Sequence, residues 1–391
     1  MSGGPMPRRP RAGDDAGIRW VDEFRDPRLS RAVVAKLRPL AAELAERKGG
    51  PLQVMEVCGG HTHTLFRFGI PQLVADHVQF VHGPGCPVCV LPRDVIAQCV
   101  AWAQRPEVVL TTFGDAIRVP GHGLSLQQAR AHGASVEVVY SPLDALAIAR
   151  DHPDREVVFL ALGFDTTMPS TALTVLQAER EGITNFSLYA VHIGIVPTLH
   201  KVLDDSGTWL DGLIGPGHVS MVIGSDPYGF VAAEHHLPFV IAGFEPLDLL
   251  QSLHMVLRQV AAGEARVENQ YGRTVRPAGN PAALHAIHTV FEPVRRPFWQ
   301  GLGAGAEVGV GLREEYRRFD AEARLPPLAV VDDAPGVPVQ CDEVIMGRLS
   351  PPQCPHFGAD CTPDSPLGAL MVSSEGACAA WAQLVGSTHG R

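Results

Sequence analysis

Short apolar runs alternate with longer amphipathic stretches from about residue 50 to about residue 265, and this alternation restricts the fold more than any other feature of the chain. Such short runs are typical of buried strands, whereas Arg93–Ala103 carries an apolar stripe with helical spacing. Strands are predicted at Val54–Val57, Val78–His82, Val108–Thr111, Val136–Tyr140, Val157–Leu162, Phe186–His192, Met221–Ile223 and Phe239–Ala242. A regular strand–helix–strand order predicts parallel sheets covered by helices.

The alternation ends after about residue 265. Beyond it one helix is predicted at about Gly311–Arg324, and the rest is rich in Pro, Gly and Cys with little periodicity. Such a segment cannot bury much core by itself, so a bound metal would explain its order. We predict two parallel-sheet, Rossmann-like α/β domains (31–140 and 141–264), a C-terminal Cys-rich iron–sulfur domain (265–391) and a disordered or extended N-terminal tail (1–30).

Charge and hydropathy exclude several classes of function. The formal net charge is -10, which gives no electrostatic footprint for nucleic acid or an anionic membrane. No apolar run approaches the roughly 20 residues that span a bilayer. Arg8 and Arg9 are followed by an acidic, Gly-rich stretch and not by an apolar segment, so no export signal is predicted. We expect a cytoplasmic protein, in which clustered cysteines more often serve metals or catalysis than structural disulfides.

Eight cysteines fall into two groups separated by a long cysteine-free region. The first group begins with Cys58-Gly-Gly-His61-Thr-His63, directly after a predicted strand, where ligands bind in open α/β sheets. A thiolate with one or two imidazoles suits iron, zinc or copper. A helix starting here would lower the pKa of Cys58 through its dipole. The alternative is a buried cysteine beside capping His and Thr residues.

A Cys-X-X-Cys motif lies in the turn after the next predicted strand, in Gly83-Pro-Gly-Cys86-Pro-Val-Cys89. This spacing allows either a dithiol/disulfide couple or half of a tetrahedral metal site. The chain has no second Cys-X-X-Cys motif to complete a zinc ribbon, which favours the redox couple over a metal site or a purely structural role. Cys99 lies on the apolar stripe of the helix that follows, which predicts a core position.

The second group of cysteines is Cys341, Cys354, Cys361 and Cys378. Their spacing is irregular, no pair has zinc-finger spacing, and prolines flank them. Four thiolates in a Pro-rich segment suit a [4Fe–4S] cluster or a structural Zn(Cys)4 site, and spacing alone does not separate the two.

Three carboxylates also follow predicted strands: Asp115, Asp165 and Glu245. They could line one cleft and orient ligands or accept protons, or each could cap a helix, which is the commoner role of an acid there. Neither Gly-rich turn fits a Walker or dinucleotide-binding fingerprint, so the sequence does not support nucleotide binding.

Several long motifs together resemble the HypD family of hydrogenase maturation factors, in the same order and over nearly the whole chain after about residue 20. The motifs that carry the resemblance are Cys58-Gly-Gly-His-Thr-His63, Gly83-Pro-Gly-Cys-Pro-Val-Cys89, Gly163-Phe-Asp-Thr-Thr-Met-Pro169, Glu268-Asn-Gln-Tyr-Gly-Arg273 and Met371-Val-Ser-Ser-Glu-Gly-Ala-Cys378. The resemblance implies a platform that works with the small chaperone HypC. On it the iron of a [NiFe]-hydrogenase centre receives cyanide, delivered by HypE, and CO.

The resemblance also implies a role for each cysteine group. Cys58 would bind Fe(II), Cys86 and Cys89 would form a redox-active dithiol, and the four C-terminal cysteines would hold a [4Fe–4S] cluster. On this hypothesis the cluster feeds electrons to the dithiol, which reduces the neighbouring iron site, and His61 orients ligands or moves a proton.

The chain departs from the family pattern at two positions. Members of the family usually have Glu where this chain has Asp165, so the carboxylate here has a shorter reach. Many members have Cys at the position of Leu370 and often another near Cys341, so full thiolate ligation here requires all four C-terminal cysteines. Two other functions fit the motifs: a freestanding iron–sulfur thiol–disulfide oxidoreductase and a zinc-stabilised binding module without redox activity.

Overall fold

The computed structural model describes residues 22–204, 209–294, 298–299, 302–304, 308–326 and 339–388. The strands are Leu52–Glu56 (β1), Val78–His82 (β2), Val108–Thr112 (β3), Val136–Val138 (β4), Glu156–Gly163 (β5), Phe186–His192 (β6), Gly212–Pro216 (β7), Phe239–Ala242 (β8), Val267–Asn269 (β9), Phe291–Val294 (β10), Phe298–Trp299 (β11), Gly303–Ala304 (β12) and Gly309–Leu312 (β13). The α-helices are Pro27–Lys48 (α1), Gly59–Arg67 (α2), Ile70–Val74 (α3), Arg93–Ala103 (α4), Leu126–Ala131 (α5), Pro142–Asp151 (α6), Met168–Glu181 (α7), Ile195–Leu203 (α8), Gly217–Ile223 (α9), Gly229–Ala233 (α10), Pro246–Ala262 (α11), Pro281–Val290 (α12), Ala321–Arg324 (α13), Cys341–Ile345 (α14) and Ala377–Thr388 (α15).

Two parallel sheets organise the molecule. The first sheet has the order β2-β1-β7-β8-β9 and the second has the order β4-β3-β5-β6, and every pairing within them is parallel. Helices follow the strands as in a doubly wound fold. The predicted class, two Rossmann-like parallel-sheet regions followed by a Cys-rich C-terminal region, is confirmed.

The second sheet is inserted between strands of the first. β1 and β2 pair into the first sheet, the chain then builds the whole second sheet, and it returns to the first with β7. The predicted domain boundary between 31–140 and 141–264 falls between β4 and β5, and both of these strands belong to the second sheet. Strand patterns reveal which segments are strands but not which sheet each one joins, so the sequence did not show this insertion.

Apolar packing explains why the strands stay where they are. In the second sheet, strands such as β5 and β6 are buried along nearly their whole length, as expected for parallel strands covered on both faces. α1 and α11 pack together against the first sheet through buried leucines such as Leu37 and Leu253. Burial of each such side chain contributes about 1.5–3 kcal/mol.

Two local predictions are wrong, and one strand was not predicted. Met221–Ile223 was predicted as a strand but lies in α9. The strand in this part of the chain is β7, which precedes α9 and was not predicted. The sequence of β7, Gly-Leu-Ile-Gly-Pro, contains two glycines and a proline, which hide a strand from propensity arguments. The predicted helix at Gly311–Arg324 is the end of β13, a 3₁₀-helix at Glu314–Phe319 and the short α13.

The described part of the N-terminal segment 1–30 is helical. Residues 22–30 form a 3₁₀-helix at Asp22–Arg25 and the start of α1, which Asp26 caps by accepting from the Arg28 backbone N–H. The remainder of that predicted tail lies outside the described residues. In the portion of the chain that the structure covers, no helix has the length and apolarity needed to cross a membrane.

The C-terminal region packs onto the first sheet. α15 lies against α2, with Phe66 and Trp381 in edge-to-face contact at 5.3 Å between ring centroids. Met55 of the first sheet, Leu110 of the second and Leu370 of the C-terminal region belong to one continuous hydrophobic core. This packing brings the C-terminal cysteine segment to the helix that begins at Cys58.

Candidate functional site

Cys58 lies at the carboxyl edge of the first sheet, two residues after β1, and is the N-cap residue of α2. The thiol is buried, and its Sγ is 3.5 Å from Nδ1 of His218. His218 belongs to the first turn of α9, directly after β7, and β7 pairs with β1. Two adjacent strand ends therefore deliver a thiol and an imidazole to one point, and the sequence prediction did not include His218.

The pKa of the Cys58 thiol is shifted in the direction opposite to the one predicted. Burial raises its pKa, and the nearby carboxylates of Glu56 and Glu375 add to the shift. The helix dipole is therefore outweighed by the loss of solvation. The free thiol is protonated at neutral pH, and a metal ion that binds it must displace the proton.

His61 lies in the first turn of α2 and is fully buried. Its Nε2 is 3.3 Å from the carbonyl oxygen of Ala242, and its ring centroid is 4.8 Å from that of Phe244. Its Nδ1 is buried and has no hydrogen-bond partner among the described residues. Burial lowers the pKa of His61, so the imidazole is neutral and one ring nitrogen is free to serve a ligand or a proton.

Glu56, the last residue of β1, organises this edge of the sheet. Its buried carboxylate accepts from the backbone N–H of Cys58 at 2.9 Å and from the Thr62 hydroxyl, and it lies 2.7 Å from Nδ1 of His82. One carboxylate thus joins the end of β1, the start of α2 and the end of β2. Glu56 was not predicted as a site residue, although a charged residue at the end of a buried strand is a usable signal.

Cys86 and Cys89 form a buried disulfide, with Cα atoms 5.3 Å apart. Their loop lies against the cysteine at the end of β1, since the Gly59 backbone N–H donates to the Gly85 carbonyl at 3.3 Å. A Cβ at Gly85 would overlap the backbone of Val57 and Cys58, so only glycine permits this approach. The Cys-X-X-Cys motif and the Cys58 thiol thus belong to one site. Cys99, in contrast, is a fully buried core residue of α4, as predicted.

The motif Met371–Cys378 connects this site to the rest of the C-terminal region. Glu375 packs directly on Gly59, and Gly376 lies against the sulfur of Cys89, with 3.2 Å between that sulfur and a Cβ built at Gly376. The Ser373 hydroxyl donates to Asp115 Oδ2 at 2.8 Å, at the end of the second sheet. One short segment therefore touches α2, the disulfide loop and the second sheet.

The four C-terminal cysteines line one largely apolar pocket with Val344, Phe357, Leu370 and Met371. Burial raises the pKa of Cys341 to about 12, and the nearby sulfurs of Cys361 and Cys354 add to the shift, as they do for Cys378. Leu370 forms part of the wall of this pocket.

The spacing of these thiols bears on the metal they fit. Within the described ranges, the four sulfurs do not form a group whose donor atoms all lie within 4.8 Å of one another. Two thiolates on one tetrahedral Zn²⁺ lie only about 3.8 Å apart, given Zn–S bonds of about 2.3 Å. Four thiolates form a soft donor set, which suits an iron–sulfur cluster or zinc.

The motif Glu268–Arg273 supports the aromatic wall beside Cys58. Arg273 forms an ion pair with the buried Asp248 at 2.6 Å, and the Gln270 amide oxygen accepts from the Gly243 backbone N–H at 3.2 Å. These contacts hold the loop that carries Phe244, whose ring is 5.2 Å from that of His218 and 4.8 Å from that of His61. The motif therefore positions an apolar face over the thiol.

The predicted carboxylates have different roles. Glu245 is the N-cap residue of α11 and pairs with Arg25, so it is a helix cap. Asp115 accepts a hydrogen bond from Ser373 of the C-terminal segment. Asp165 is half-buried, and its Oδ2 accepts from the Ile195 backbone N–H at 2.9 Å, at the start of α8. Burial raises the pKa of the Asp165 carboxyl to about 6.

Asp165→Asn should alter the pH dependence of stability. When a carboxyl group has a higher pKa in the folded than in the unfolded protein, the protein loses stability as pH rises from the unfolded-state pKa, about 4, to the folded-state pKa. Asn cannot ionise, yet it keeps an oxygen for the Ile195 N–H. Relative to the parent protein, the variant should gain up to about 2–3 kcal/mol of unfolding free energy between about pH 4 and about pH 7, measured by urea unfolding. A pH-independent difference would contradict this.

Comparison with known proteins identifies a family. Residues 31–385 match the family model described as "HypD: Hydrogenase formation hypA family". The chain is 51% identical over 377 residues to the hydrogenase maturation factor HypD of Rhodobacter capsulatus, covering 95% of this chain and 99% of that protein. It is 51% identical over 368 residues to HypD of Escherichia coli K12 (94% and 98% covered) and 47% identical over 371 residues to HypD of Azotobacter vinelandii (93% and 96%).

Proposed function

The chain belongs to the HypD family of hydrogenase maturation factors, and we propose that it is the platform on which the iron of a [NiFe]-hydrogenase centre receives cyanide and CO. The observation that carries the proposal is the position of the buried Cys58 thiol. It faces His218 and lies at the junction of β1, the Cys86–Cys89 loop and the C-terminal segment. The Cys58 thiol, the Cys86–Cys89 loop and the segment that leads into Cys378 meet at this junction, which supports the proposal.

Iron is the substrate of this site. The Cys58 thiolate is a soft ligand, and the neutral imidazoles of His218 and His61 are suitable second ligands or proton acceptors. A HypC-type chaperone would add a further ligand and a HypE-type protein would deliver the cyanide. The site is enclosed by Phe244 and the buried disulfide loop, so the protein excludes water from the iron while ligands are transferred.

The four C-terminal cysteines would hold a [4Fe–4S] cluster as a resident cofactor. When bound, such a cluster supplies electrons one at a time. The protein would hold this cluster close to the dithiol, because Cys378 follows Gly376 by two residues and Gly376 lies against Cys89. The cluster pocket and the dithiol loop are therefore neighbours in the structure.

Cys86 and Cys89 would supply reducing equivalents. Conversion of a cyano group carried on a partner into iron-bound cyanide consumes two electrons, and oxidation of the dithiol to the disulfide releases two electrons and two protons. Both cysteines are buried, at 5% and 2% exposure. This burial disfavours a freestanding oxidoreductase that attacks disulfides of other proteins, because such an enzyme needs an accessible thiolate.

Cys86→Ala tests the proposal. Infrared spectra of the anaerobically purified protein with its HypC-type partner should show bands of iron-bound cyanide and CO. Cys86→Ala should retain iron at Cys58, since it leaves that thiol in place, but lose these bands almost completely. Cys99→Ala is the matched control, because it removes a buried cysteine outside the site. The electron route is wrong if Cys86→Ala shows unchanged bands, and the platform role is wrong if iron-loaded parent protein shows none.

A further inference from the structure

A second group of metal-ligating side chains lies away from the cysteines. His200 of α8 meets Glu234 and His235, which directly follow α10, and one donor atom from each residue lies within 4.8 Å of the other two. Imidazole and carboxylate donors at this separation need only small rotamer changes to reach one ion, since ligands of a tetrahedral Zn²⁺ lie about 3.4 Å apart.

The two imidazoles are held in place by their surroundings. The His200 ring stacks on Phe230 with 3.6 Å between ring centroids, and His235 contacts the same phenylalanine edge-on at 6.0 Å. Nε2 of His235 is buried and makes no hydrogen bond within the described part of the chain. Asp204 Oδ1 lies 3.7 Å from this nitrogen, which is too far for a hydrogen bond but close enough for two ligands of the same ion.

We propose that His200, Glu234 and His235 bind one Zn²⁺ ion, with Asp204 as a fourth or outer ligand. Two imidazoles and a carboxylate match the borderline divalent transition metals, whereas Mg²⁺ and Ca²⁺ prefer all-oxygen sites. The set lacks thiolates, so it differs in ligand chemistry from both cysteine sites. The exposed carboxylate of Glu234 leaves an entry path for the ion.

An ion at this position would link the two parallel sheets. α8 follows β6 of the second sheet, and Glu234 and His235 lie in the connection between β7 and β8 of the first sheet. That same connection begins with His218, which faces the Cys58 thiol. A bound ion would join the two sheets and restrain the segment that supplies His218.

The test is zinc binding by anaerobically purified protein, measured by isothermal titration and by X-ray absorption at the zinc edge. The parent protein should bind one equivalent whose first shell is nitrogen and oxygen, and zinc should raise its unfolding temperature. His200→Ala with His235→Ala should bind one equivalent fewer and lose the zinc-dependent rise. His285→Ala, at an exposed histidine of α12, is the matched control and should behave like the parent.

A milder variant keeps the test informative if the double variant does not fold. Glu234→Gln changes one exposed side chain and should weaken zinc binding at this site by about tenfold or more. Equal zinc stoichiometry in parent and double variant, or a zinc edge with sulfur ligands alone, would overturn the site.

Discussion

Cys58→Ala is expected to remove the substrate iron from the protein and to abolish hydrogenase maturation, while the pocket of the four C-terminal cysteines remains intact. In the proposed platform, the thiol is the soft ligand, and it lies at the junction of the first sheet, the disulfide loop and the C-terminal segment. His218 and His61 remain in the variant, but neutral imidazoles in a buried site do not replace an anionic thiolate on Fe(II). Iron beyond that of the cluster should fall to background, and the infrared bands should disappear.

The protonation state of the thiol adds a pH dependence to this result. Burial and neighbouring carboxylates raise the pKa of Cys58, so iron binding must release a proton. Iron affinity of the parent protein should therefore rise with pH, by up to tenfold per pH unit, and this dependence should vanish in Cys58→Ala. His63→Ala, at a half-buried histidine of the same motif, is the control and should keep the pH dependence of the parent protein. Residual maturation in Cys58→Ala at more than a small fraction of the parent level would contradict the iron-ligand role.

The strands and the cysteine positions could be predicted because both depend on local sequence. Continuous apolar runs such as Val157–Leu162 are read directly, and motifs at strand ends meet at one edge of a parallel sheet. The insertion of the second sheet could not be predicted, since partner choice among similar strands depends on long-range packing. β7 was hidden by its glycines and proline, and with it His218, which only the pairing of β7 with β1 brings to Cys58.

The sign of the Cys58 pKa shift illustrates a second limit of sequence reasoning. A cysteine at a helix N-terminus favours a lowered pKa, and the helix was predicted correctly. The opposite direction arises from burial under Phe244 and the C-terminal segment, and from the charges of Glu56 and Glu375. Glu56 lies only two residues from Cys58, but Phe244 and Glu375 lie more than 150 positions away in the chain, so no local pattern contains the full set of contacts.

Gly85→Ala should damage the site without removing any chemical group. A Cβ at this position overlaps backbone atoms of Val57 and Cys58, which cannot rotate away as a flexible side chain could. Either the end of β1 or the disulfide loop must move, at a cost of about 1–3 kcal/mol in unfolding free energy. The movement separates Cys58 from Cys86 and Cys89, and a displacement of about 1 Å can lower a reaction rate about 100-fold. Urea unfolding and hydrogenase maturation assays measure the two effects.

Gly229→Ala separates this steric effect from the general cost of replacing glycine. Gly229 begins α10, and a Cβ built there meets no atom within 4 Å. Because alanine is the better helix former, this control should be neutral or more stable by about 0.5–1 kcal/mol, with full maturation. Gly85→Ala should also lose less iron than Cys58→Ala, since the Cys58 thiol remains in Gly85→Ala. If Gly85→Ala were as stable and as active as Gly229→Ala, the close contact between the Cys-X-X-Cys loop and Cys58 would not be what couples the dithiol to the iron.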